Sequence, residues 1–180
     1  MKITFTILGC GSSLGVPRAD GHWGKCSKKN IKNFRTRCSA LVTKGENNIL
    51  IDTSPDLRHQ LLKNNTKNID SVIYTHMHGD QTHGINDLRA FSIKNKKKVN
   101  VYANKQTLFY LKKSFNYCFF GTREHRPILK SNLVKKNLVL GQGVEKIKIK
   151  SIVVKHGIIN CIGYIVFIYH NYNKEIVYKN

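Results

Sequence analysis

A β-branched and aromatic run, Ser71-Val72-Ile73-Tyr74-Thr75, leads without a break into His76-Met77-His78-Gly79-Asp80-Gln81-Thr82-His83-Gly84. Three histidines and a carboxylate thus fall within eight residues. The first run reads as a buried strand. The residues that follow, Ile85-Asn86-Asp87-Leu88-Arg89-Ala90-Phe91, carry apolar side chains at helical spacing. The polar cluster therefore sits where a strand ends and a helix begins. A chain that stays extended past Thr75 turns residues 76, 78 and 80 to the same side, because strand side chains alternate with period two. Two imidazoles and a carboxylate then converge. Such nitrogen and oxygen ligands suit zinc, iron or manganese. A lone histidine would read as a surface loop residue, whereas His-x-His-x-Asp directly after a buried strand reads as a metal site.

The rest of the chain places this cluster in a layered α/β architecture. Strands are expected near residues 2–8, 38–43, 48–52, 71–75, 99–102, 147–154, 161–169 and 175–178, and helices at 55–64, 85–93 and 105–117. Alternation is clearest in Lys146-Ile147-Lys148-Ile149-Lys150, which predicts a sheet with one wet face. Ser54 and Pro55 are expected to cap and open the first helix. Residues 9–37 lack periodicity and read as a long functional surface loop. At 180 residues the chain is expected to form one domain, 1–180, of a size that buries roughly 70% of its unfolded surface. No apolar run of membrane-spanning length is present, and Met1–Gly9 reads as a first strand rather than a signal peptide.

Five cysteines, at 10, 26, 38, 118 and 161, form no Cys-x-x-Cys pair. Their odd number and the reading of the N-terminus point to a reducing, cytoplasmic setting. Cys10, Cys118 and Cys161 are expected to be small buried residues. His22 and Cys26 supply two ligands, too few for a closed zinc site. The charge is extreme: 31 Lys and Arg against 10 Asp and Glu give +21. A polyanion partner is one reading. The basic residues are nevertheless spread along the chain without interleaved aromatics, so nucleic-acid binding is expected to be weak and non-specific. The tightest group, Lys94, Lys96, Lys97 and Lys98, reads as a solvated turn.

The His76–His83 segment resembles the metal-site motif of the metallo-β-lactamase fold hydrolases. Ile7-Leu8-Gly9-Cys10-Gly11-Ser12-Ser13-Leu14-Gly15-Val16-Pro17-Arg18 resembles the first strand and glycine loop of the PhnP-like cyclic phosphodiesterase branch, close to the tRNA 3′-end nucleases. Further matches follow in order at Arg37–Val42, Ile49–Arg58 and His83–Arg89. His156-Gly157, with Ile162-Gly163-Tyr164 after it, looks like the next metal-ligand motif. The resemblance covers nearly the whole chain. It implies an α/β fold, the metallo-β-lactamase-like αββα sandwich, with its second half incomplete because the chain stops at Asn180, about where a metal-bridging aspartate appears in the family. Either a homodimer covering the open sheet or poor solubility despite the high charge is expected from that ending.

The same resemblance implies the chemistry. His76, His78 and His156 would hold a first metal and Asp80 a second, where it would also orient the attacking hydroxide. His83, Arg18 and Arg89 would contact substrate, with Arg35 and Arg37 as further phosphate contacts. Gln81 stands where the family has histidine and offers a weak amide ligand. One tightly bound ion is therefore expected, zinc or else manganese or iron. The implied activity is hydrolysis of a small cyclic phosphate or nucleotide by a metal-bound hydroxide. The alternatives are an RNA-processing nuclease of the same fold, or a non-catalytic remnant that binds metal or nucleic acid without turnover.

Overall fold

Period-two alternation builds the larger of two sheets. In β2 (Ser39–Lys44) and β3 (Asn47–Ile51), Ala40, Val42, Ile49 and Ile51 enter one core while Leu41 and Leu50 enter another on the opposite face. The pattern continues in β4 (Ser71–Ile73), where Val72 and Ile73 divide between the same two cores. Both faces of this sheet are covered, which explains why β3 and β4 read as nearly continuous apolar runs. The computed structural model describes residues 1–169 and 175–178.

The larger sheet runs β1 (Ile3–Gly9), β2, β3, β4, β5 (Val99–Ala103), β6 (Leu129–Leu133), antiparallel from β1 to β3 and parallel from β3 to β6. On its outer face lie α1 (Leu57–Lys63), α3 (Arg89–Asn95), α4 (Lys105–Ser114) and α5 (Asn116–Phe120), which contribute Leu57, Phe91, Leu111 and Phe119 to the core that holds Leu41 and Leu50. A one-turn helix, α2 (Gly79–Thr82), follows β4. On the inner face packs an antiparallel sheet of β7 (Asn137–Leu140), β8 (Ile147–His156), β9 (Ile159–Tyr169) and β10 (Glu175–Tyr178), in the order β10-β9-β8-β7. Ile147 and Ile149 face inward between lysines, as their alternation predicts, and meet Val42, Ile49 and Ile73. Helices, sheet and sheet are thus stacked in the order of the αββα sandwich.

Several expectations need adjustment. β6 and β7 were not foreseen, because Leu-Lys-Ser-Asn-Leu and Asn-Leu-Val-Leu are too short or too polar to signal a strand. The helix expected over 85–93 is a 3-10 turn, Ile85–Leu88, followed by α3. That expected over 105–117 breaks at Phe115 into α4 and α5. Helix α1 starts two residues later than its cap motif predicts. The Ser54 hydroxyl accepts from the Asp56 N–H at 3.1 Å and its carbonyl from the Leu57 N–H at 2.9 Å, so Ser54 closes a turn in front of the helix. Of the three cysteines expected to be buried, only Cys118 is; Cys161 is half-buried and Cys10 exposed, since the chain leaves the sheet at Gly9.

Candidate metal centre

The chain stays extended beyond β4 only as far as His78 (φ −64°, ψ 154°), and α2 begins at Gly79. His76 and His78 consequently fall on one side, as alternation predicts. Asp80 is carried by the first turn of α2 instead, so strand alternation does not place it with them. His156 arrives from the second sheet at the end of β8, opposite Ile159 across a two-residue turn whose first position, Gly157, has φ +59°. Two bonds fasten that sheet to the end of β4: the Ile162 N–H donates to the Thr75 carbonyl and the Tyr164 hydroxyl to the Tyr74 carbonyl, each at 2.8 Å.

The three imidazoles meet. Their ligand-capable nitrogens all lie within 4.8 Å of one another, and ring centroids are 4.6 Å apart for His76–His78, 4.9 Å for His76–His156 and 5.3 Å for His78–His156. Tetrahedral coordination at about 2.05 Å puts nitrogens about 3.3 Å apart. The His76 Nε2 to His78 Nδ1 separation is 3.0 Å, so the spacing fits one ion with small side-chain adjustments. Two nitrogen lone pairs this close repel unless a proton or a cation lies between them. Burial, followed by the neighbouring His78 and His156, pushes the His76 pKa down to about 4, which keeps it a neutral donor at pH 7.

The other nitrogen of His76 is held by a chain that runs through half-buried Thr75 to buried Asp52. Its Nδ1 lies 2.9 Å from Thr75 Oγ1, which donates at 2.7 Å to Asp52 Oδ2, while the Thr75 N–H donates to Asp52 Oδ1 at 2.8 Å. With its proton committed to Asp52, the Thr75 hydroxyl accepts the His76 Nδ1–H and leaves Nε2 bare toward His78. Asp52 is 4% exposed and its pKa is pushed up to about 7 by burial, against the lowering effect of the Thr75 bonds. It also holds a left-handed backbone (φ 59°), a conformation that Asp tolerates better than most residues. Neither Asp52 nor Thr75 is singled out by sequence reasoning. The available signal was a carboxylate ending the buried run Ile49-Leu50-Ile51.

The remaining site candidates divide. Gln81 is buried, and its side-chain NH2 donates to Asp80 Oδ2 at 2.9 Å, which ties the amide group to the carboxylate. Asp80 stands outside the three-histidine group but close enough to favour the charged form of His76. His83 is exposed, its ring set edge-on to Phe115 at 5.5 Å and Nδ1 3.2 Å from Thr82 Oγ1. Arg18 pairs with Asp20 at 2.6 Å. Arg35 donates to the Phe34 carbonyl. Arg37 grips Asp56 through two guanidinium bonds, at 2.9 and 2.7 Å, so it is a structural clamp and not an open phosphate contact. Arg89 lines a cavity along α3. Cys161 Sγ lies 3.8 Å from His76 Nδ1. Next to the centre, a cavity of about 330 Å³ is lined by Phe5, Ile7, Cys10, Cys38, Asp52 and Thr75.

Comparison with known proteins agrees with this fold. Residues 47–178 match the family described as Beta-lactamase superfamily domain. A solved structure of a diphosphatase from the PhnP family superposes with a TM-score of 0.79 at 32% identity, over 92% of this chain and 62% of that one. Zn(2+)-bound PqqB from Methylobacterium extorquens gives a TM-score of 0.66 at 18% identity, over 98% of this chain and 61% of that one. The short form of human tRNase Z gives 0.64 at 15% identity, over 99% and 69%. The last two share the fold. An octanoyltransferase of Porphyromonas gingivalis (strain ATCC BAA-308 / W83) is 32% identical over 160 residues, 88% of this chain and 32% of that protein. The chain thus spans about a third of this curated relative.

Proposed function

The chain belongs to the beta-lactamase superfamily, and on that premise we propose that it is a metal-dependent phosphodiesterase acting on a small cyclic phosphate or nucleotide. The observation that carries this reading is the meeting of His76, His78 and His156, from two different sheets, with their nitrogens within 4.8 Å. These residues would hold one divalent ion, with zinc the best match to an all-nitrogen donor set. When bound, such an ion lowers the pKa of a coordinated water toward 7 and polarises a phosphoryl oxygen. Thr75 and Asp52 fix the tautomer and direction of His76, as groups behind metal-binding histidines do. Asp80 supplies negative charge beside the centre, and His83 and Arg18 stand as candidate substrate contacts. The Gln81–Asp80 bond favours a single ion over a pair. The same bond supports a second reading, metal binding without turnover. We place the activity in one domain, in a cytoplasmic setting; no helix among the described residues is long and apolar enough to cross a membrane.

Elemental analysis after gel filtration, beside hydrolysis of bis(p-nitrophenyl) phosphate, tests the proposal. One transition-metal equivalent per chain is expected, with both metal and hydrolysis lost in His78→Ala. Two retained equivalents, or unchanged metal content in His78→Ala, would contradict the ligand assignment. Gln81→His should raise metal content and hydrolysis. Metal binding with no hydrolysis in either the wild type or Gln81→His selects the second reading.

A further inference from the structure

A concave feature away from the metal centre lies at the other end of the parallel strands. His76 and His78 follow the end of β4, whereas Lys96, Lys97 and Lys98 precede the start of β5 and Ile128 precedes the start of β6. These residues, with Arg89 and Arg126, line a cavity of about 730 Å³. That volume suits a small ligand.

Its chemistry is one-sided. Arg89 opens α3 and presents the same face as Ser92 and Ile93 to the cavity, while Lys96 caps the C-terminal end of the helix in a left-handed conformation. Lys97 and Lys98 come from the turn after α3, and Arg126 from the loop between α5 and β6. Glu124 is the only acid among the lining residues. Among the described residues, the one ion pair made by these cations is Lys97–Asp70, at a loose 3.7 Å. The turn Lys94–Lys98 alone is explained by solvation. Convergence of cations from three separate segments on one cavity is not, because unpaired like charges facing each other repel. A concave wall also focuses their field on an anion. No Phe, Tyr or Trp lines the cavity, and His125 is its one aromatic ring, so cations outnumber the surfaces on which a base could stack. Ile93, Pro127 and Ile128 give it an apolar floor.

We infer that this cavity is a binding site for a small ligand carrying two or more linked phosphates, recognised through the phosphates and separate from the metal centre. Such a group could come from an inorganic polyphosphate or from the phosphate tail of a nucleotide. Arginine supplies bidentate contacts to phosphate oxygens, and lysine a compact charge.

Equilibrium dialysis at 150 mM salt, with inorganic tripolyphosphate and with ATP as probes, tests the inference. The variant Lys96→Gln/Lys98→Gln/Arg126→Gln removes three cations of the cavity. Lys28→Gln/Lys29→Gln/Lys32→Gln removes the same charge from exposed positions elsewhere. Both probes are expected to bind the wild type and the charge-matched control alike, and at least tenfold more weakly the cavity variant. Tripolyphosphate binding without ATP binding would keep the site and assign it to inorganic polyphosphate. Equal weakening in both variants would reduce the effect to bulk charge and overturn the inference. So would binding that survives in the cavity variant, which would locate it elsewhere, or retention of ATP or an RNA oligonucleotide without tripolyphosphate.

Discussion

Thr75→Val removes one hydroxyl at nearly constant volume, and that hydroxyl joins His76 to Asp52. Two losses should follow. A buried carboxylate forfeits a short hydrogen bond while keeping the one from the Thr75 N–H. A bond to a charged group contributes about 1.5–3 kcal/mol, so stability should fall by about that much. His76 Nδ1 meanwhile loses its acceptor, and groups behind metal-binding histidines are worth about 10–100-fold in metal affinity, or about 1.4–2.7 kcal/mol. The stability loss should depend on pH. Burial holds the folded-state pKa of Asp52 near 7, above its unfolded value, so stability is lost as pH rises from that unfolded value to about 7 and levels off above it. Without the Thr75 hydroxyl that pKa rises further, and the variant's deficit should be larger at pH 8 than at pH 6. Urea unfolding in the presence of a chelator reads the first effect, and zinc titration against a chromophoric competitor reads the second. Thr75→Ser should retain both properties. Zinc affinity within twofold of wild type in Thr75→Val, with an unchanged unfolding midpoint, would refute the relay.

Three further outcomes are expected. Gly84→Ala should destabilise the fold by about 1–3 kcal/mol in a thermal or urea melt, because a Cβ there would come within 2.0 Å of the Ser54 carbonyl oxygen and 2.8 Å of Leu57 Cβ. Asp56→Asn should cost about 1–2 kcal/mol at pH 7, after allowance for partial exposure of its clamp on Arg37. The Arg37 bond holds the Asp56 pKa below its usual value, so that cost should persist above pH 4 and shrink as pH falls through the folded-state pKa; a gap that widens in acid would reverse the assignment. RNA should bind without sequence preference, its log affinity falling linearly with log salt in filter titrations.

The elements easiest to read from the chain are those whose alternation is enforced by burial. Ile147 and Ile149 between lysines could face only one core, and Ile49-Leu50-Ile51 could only be covered on both faces. The histidine motif was equally plain, since it needs only local spacing. What stayed hidden depends on contacts distant in sequence. Arg37 looked free for phosphate until its partner 19 residues away appeared. The basic turn at Lys96–Lys98 looked like solvated surface until Arg89 and Arg126 were seen to share its cavity. Strand alternation extended past His78 puts Asp80 on the same face, and one turn of α2, which begins at Gly79, redirects it.

Asp52 shows why fold and site stand or fall together in this chain. The parallel register pairs Ile51 with Ile73, and the next residue carries the bond from the Asp52 N–H to the Ile73 carbonyl at 3.1 Å. That register sets Asp52 against Thr75, and Thr75 in turn sets His76. A slip of one residue between β3 and β4 would send Ile49 and Ile51 to the helical face and Leu50 to the sheet face. It would also move the carboxylate away from Thr75. The apolar residues that make this slip costly, Ile49, Leu50 and Ile51, are each at most 4% exposed. The metal-site geometry is therefore maintained by the hydrophobic packing of a strand that supplies none of the three histidines. Substitutions in β3 that loosen register should lower metal affinity even while the histidines remain intact.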